Sequence, residues 1–72
     1  MRILHYRIVV TDSQIVFDWL DAHNAQRNLV RSVAFKIRDH CFMKISIEQS
    51  SMSKEFEARW SQNFYDPTKQ NL

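Results

Sequence analysis

None of the 72 residues is glycine. Glycine is the residue that enters positive φ without steric cost, so this chain must turn by other means. It cannot build a glycine-rich phosphate loop or a dinucleotide fingerprint. Its turns are expected at Asn, Asp, Ser and the single Pro67, and Asp12, Asn24 and Asn28 stand where turns are wanted. A chain this short buries a small fraction of its surface. Yet 44% of it is hydrophobic and 12% aromatic, which is ample apolar material for so little interior. A single Cys allows no internal disulfide, so association of copies is the simplest way to cover the excess.

Residues 2–10 alternate. Leu4, Tyr6, Ile8 and Val10 form an apolar face, and Ile3, His5, Arg7 and Val9 form a mixed one. "TDS" at 11–13 offers N-caps for a helix over about 14–23, with Ile15, Val16, Trp19, Leu20 and His23 on one side. Asn24 can end that helix and Asn28 can cap the next. The second helix is expected from Leu29 to near Met43, because Leu29, Val33, Ile37 and Cys41 recur every four residues. Residues 41–48 fit either a helix or a strand. Ser53 can cap a last helix carrying the stripe Met52, Phe56, Trp60 and Phe64.

Charge is uneven along the chain. Residues 1–38 place Arg2, Arg7, Arg27, Arg31, Lys36 and Arg38 against three carboxylates, whereas 39–72 are slightly acidic. A strand followed by two helices has no ladder partner of its own. Two copies solve this by pairing their strands antiparallel. The mixed face of such a two-stranded ribbon fits the DNA major groove, where Arg7 can meet guanine and Val9 a thymine methyl.

This order, with "RNLVRSVAFKI" as the second helix, resembles the ribbon-helix-helix superfamily over residues 4–43. The resemblance implies a mainly α homodimer with one N-terminal strand, a DNA-binding unit at 1–45, and a tail at 46–72. It implies base contacts from His5, Arg7 and Val9, and phosphate contacts at the start of the second helix from Arg27, Asn28 and Arg31. It also implies a double-stranded DNA repressor, an antitoxin, or a plasmid or phage regulator whose tail holds a protein partner through Phe56, Trp60 and Phe64. Two alternatives stay open. In one, the chain is a small α+β fold with a second strand near 43–48. In the other, it is a phage- or plasmid-encoded interaction or inhibitor protein with no nucleic-acid role.

His5, His23 and His40 lack metal-ligand spacing, and His40 and Cys41 diverge on a helix, so no enzyme, metal or cofactor is expected. The charged N-terminus has no signal-peptide core, and no apolar run reaches membrane-span length. A cytoplasmic protein without membrane contact is the expectation, and the lone Cys41 fits a reducing compartment.

Overall fold

The computed structural model describes residues 2–23 and 29–65. They form β1 (Ile3–Val10), α1 (Ser13–Ala22), β2 (Arg31–Ile37), β3 (His40–Glu48) and α2 (Ser51–Trp60), followed by a short 3₁₀ turn at Ser61–Asn63. The three strands make one antiparallel sheet in the order β1-β3-β2. β1 and β2 therefore run parallel with β3 between them, joined through α1 in a split βαβ unit. This is an α+β fold. It overturns the ribbon-helix-helix resemblance and the mainly α architecture with one strand. β1 finds its ladder within the same chain, on β3, so no second copy is needed to satisfy it.

The expected second helix is a β-hairpin. Positions four apart share a face in a helix, but they also share a face in a strand, because four is a multiple of two. Leu29, Val33, Ile37 and Cys41 therefore could not discriminate. The β-branched and aromatic residues Val33, Phe35 and Ile37 prefer the pleated surface. The two-residue loop at Arg38 and Asp39 splits the segment in two. Arg38 holds φ at 57°, at the first loop position, where a hairpin of this length usually has glycine. Leu29 also lies at positive φ, 46°, just before β2. Among the described residues, the lack of glycine is thus met by Arg38 and Leu29 at positive φ, while Asn24 and Asn28 lie outside the described residues.

Both helices cover one face of the sheet. α1 starts at Asp12, whose carboxylate accepts the Gln14 amide at 2.9 Å. α2 starts one turn earlier than Ser53, at Ser50, and Ser53 Oγ accepts from the Ser50 amide at 2.9 Å in a capping box. Ile8 from β1, Met43, Ile45 and Ile47 from β3, Val16 and Leu20 from α1, and Met52, Phe56 and Trp60 from α2 form one core. That core joins the two segments on either side of residues 45 and 46, and this junction falls inside β3. Trp19 and Trp60 meet edge to face at 5.1 Å between the helices. Among the described residues, no helix is long and apolar enough to cross a membrane.

Two predictions test this framework. Arg38→Gly removes the cost of a left-handed non-glycine residue, and should raise unfolding free energy in urea by about 0.5–1 kcal/mol after glycine's own entropy loss. The second concerns the Tyr6 hydroxyl, which donates to Glu57 Oε1 at 2.6 Å. Burial, and then the hydrogen bond and negative charge of Glu57, hold its phenol well above the ordinary value. The folded state therefore keeps a proton that the unfolded state releases near pH 10, so this contribution is present below pH 10 and is lost as pH rises beyond it. Urea titrations between pH 9 and 11.5 should show a steeper loss for the wild type than for Tyr6→Phe.

Candidate functional site

Among the described residues, the second face of the sheet carries no helix. Register places its side chains in rows across the strands. His5, Ser46 and Arg31 form one row, Arg7, Lys44 and Val33 the next, and Val9, Phe42 and Phe35 the third. His5 and Arg7 share this face because a strand sends alternate side chains to the same side. Arg31 joins them because it starts a strand rather than riding on a helix.

The middle row is electrostatically costly. Arg7 and Lys44 are direct cross-strand partners, and like charges in that arrangement destabilise a sheet. Both are exposed, and among the described residues neither forms an ion pair. Arg31 extends the positive band, and His5 lies in the same row, its Nδ1 sharing a 2.9 Å hydrogen bond with Ser46 Oγ. Glu48, opposite Ile3 at the end of the ladder, is the one carboxylate on the described strands of this face. The face therefore concentrates positive charge that the described residues leave uncompensated.

Aromatic rings lie beside that band. Phe35 and Phe42 stack with centroids 5.5 Å apart and planes 15° from parallel. Tyr65 meets Phe42 edge-on at 5.8 Å. It is held there because its amide donates to the Arg7 carbonyl at 2.7 Å, while Phe64 bridges Ile8. Phe42 is enclosed by its neighbours, but Phe35 remains 39% exposed. Lys44 Nζ sits 6.0 Å from the Phe35 ring centre. Arg7, Phe35, Ile37, Phe42, Lys44 and Tyr65 line a hollow of about 190 Å³. A second hollow of about 510 Å³ adjoins it, sharing Arg7, Lys44 and Tyr65 and reaching His5 and Ser46. Cations and stacked rings in adjoining rows can bind an anionic chain that carries planar groups.

Of the residues expected to contact bases, His5, Arg7 and Val9 lie together on this face, with Val9 half-buried beside Phe42. Of those expected to contact phosphate, Arg31 is on the same face, while Arg27 and Asn28 lie outside the described residues. Phe56 and Trp60 are buried in the protein's own core. Phe64 packs on Tyr6 and Phe56 with ring centres 5.3 and 6.2 Å away, so the tail stripe finishes this chain's interior. Phe35, Phe42, Lys44 and Tyr65 have no role in the sequence reading. The alternation in "SVAFKI" was the signal available for Phe35.

At the hairpin end, a cleft of about 370 Å³ gathers Asp12, Asp39 and His40. Among the described residues, no group of three or more His, Cys, Asp or Glu side chains is placed to hold a metal ion. No family model, curated protein or solved structure matches this chain.

Lys44→Glu converts the repulsive Arg7 pair into an attractive one. The variant should be more stable than the wild type by about 0.5 kcal/mol in urea at low salt. A loss of stability would mean that the cation serves the fold rather than a ligand.

Proposed function

We propose that the chain is a nucleic-acid-binding domain that takes a single strand across the open face of its sheet. The observation that carries this reading is the Arg7–Lys44 pair, without an ion-pair partner among the described residues, beside the exposed Phe35 ring. Stability is spent on opposing two cations, and an anionic ligand is what relieves that cost. Phosphates would lie along the band of His5, Arg7, Lys44 and Arg31, and bases would stack on Phe35 and the edge of Tyr65. Open sheets with aromatic side chains use this mode because every base offers a π face.

Geometry favours a single strand over a duplex. The major groove admits a helix or a two-stranded ribbon, and here the reading residues sit on a three-stranded sheet. The dimeric ribbon that would have carried His5, Arg7 and Val9 into a groove does not form, because β3 covers the inner edge of β1.

The test is fluorescence anisotropy with labelled 12-nucleotide DNA and RNA of mixed sequence, and with the matching duplex. The single strands should bind more tightly than the duplex. Phe35→Ala should weaken binding roughly 5- to 100-fold, the range for one lost base stack. Arg7→Ala should weaken all sequences alike and reduce the slope of log K against log salt by about 0.7. Absence of binding, or binding unchanged by both substitutions in folded protein, would overturn the proposal.

A further inference from the structure

The outer edge of β2 is the least protected part of the sheet. Among the described residues, β3 is its one strand partner. The edge carries no Pro, and its one charge on the helix-covered face is Lys36, near the hairpin end, where it remains exposed. It also displays Val33 at 62%, Ile37 at 51% and Phe35 at 39% exposure, all on the open face.

The hydrogen-bond phase of this edge can be worked out. The Tyr65 amide reaches the Arg7 carbonyl from outside the sheet, so Arg7 turns its backbone groups away from β3. Its cross-strand partner Lys44 then turns its own toward β2, onto Val33. By alternation, Arg31, Val33, Phe35 and Ile37 are committed to β3. Ser32, Ala34 and Lys36 hold their amides and carbonyls outward.

From this geometry we infer that β2 pairs antiparallel with β2 of a second copy of this chain, about a two-fold axis at Ala34. The axis falls on an outward residue, so Ala34 faces Ala34 of the partner as a hydrogen-bonded pair. Ser32 faces the partner's Lys36 in the same way. About six backbone hydrogen bonds result. The intervening Val33 and the partner's Phe35 form non-hydrogen-bonded pairs, where side chains approach most closely, and each pair is apolar. No like charges stand opposite one another. Arg31 faces the partner's Ile37 and lies diagonal to the partner's Asp39, within reach of its carboxylate. Val33 and Phe35 are thereby covered by each other's counterparts, and Ile37 lies against the stem of the partner's Arg31.

The assembly closes at two copies. The opposite edge of the sheet, β1, is interrupted along Arg7–Val9 by Phe64 and Tyr65 and by Asn63, whose side-chain amide donates to the Val9 carbonyl at 3.0 Å, which leaves too short a free stretch for a second ladder. A two-fold contact through one edge with the other blocked gives a dimer and not a fibre. The pairing does not depend on the binding proposal. If that proposal holds, the two cationic and aromatic faces become one six-stranded surface.

The test is light scattering of the full chain without nucleic acid, from about 1 to 100 μM, a range that brackets micromolar association. The expected mass at the upper end is twice the 8.7 kDa of one chain. Ser32→Lys sets a lysine against the partner's Lys36 at two symmetric sites, and should raise the dimer dissociation constant roughly tenfold. Ser32→Glu, of similar bulk, sets a carboxylate there and should lower it. Ala34→Pro removes the outward amide without touching the β3 ladder, and should give a monomer with an unchanged circular dichroism spectrum. A wild-type monomer throughout, or equal dissociation constants for the two Ser32 variants, would overturn the inference. Because no oligonucleotide is present, either outcome is separate from the fate of the binding proposal.

Discussion

The double ladder along β3 supports everything else. His40–Glu48 hydrogen-bonds to β1 on one side and β2 on the other, and one set of its side chains, Met43, Ile45 and Ile47, is fully buried under the helices. Without β3, neither outer strand has a partner, and an unpaired buried backbone group costs about as much as a lost hydrogen bond. The two capped helices are placed by the same strand, since their apolar faces have no surface to cover except the one β3 centres.

The two faces of this sheet are organised on opposite principles. On the covered side, packing is close and aromatic, with Phe56 fully buried among Tyr6, Trp19, Trp60 and Phe64. On the open side, Arg7 opposes Lys44 and Phe35 is left half in water. A chain under pressure for stability alone would exchange one of those cations for a carboxylate. Local arrangements that disfavour the folded state, kept where the rest of the fold can carry them, point to function.

Sequence patterns were informative where only one period fitted them. The strict alternation of Leu4, Tyr6, Ile8 and Val10 identifies β1, Asp12 caps α1, and Met52, Phe56 and Trp60 mark the buried side of α2. The pattern failed at Leu29–Cys41, where a spacing of four satisfies helix and strand alike. Two cues that would have separated them were muted. The loop at Arg38 and Asp39 lacks the Asn-Gly or Asp-Gly signature, and residues Val30 and Ala34 interrupt the polar positions with apolar ones. Half of the open face was legible as a result, namely His5, Arg7 and Val9. Lys44, Phe42 and Phe35 join it only through the register of a hairpin that sequence did not reveal, and Tyr65 only through a tertiary hydrogen bond to Arg7.

The strand order has a consequence for how the chain is made. β1 leaves the ribosome first, yet its nearest partner in sequence is the pair Val10–Cys41, across the whole of α1 and β2. The β2–β3 hairpin closes over a two-residue loop and is entropically cheap, whereas docking β1 closes a long one. Synthesis and assembly therefore run in opposite directions. Of the three strands, β1 is made before the ladder it joins, and its apolar face is not covered until α2, beyond residue 50, has emerged as well.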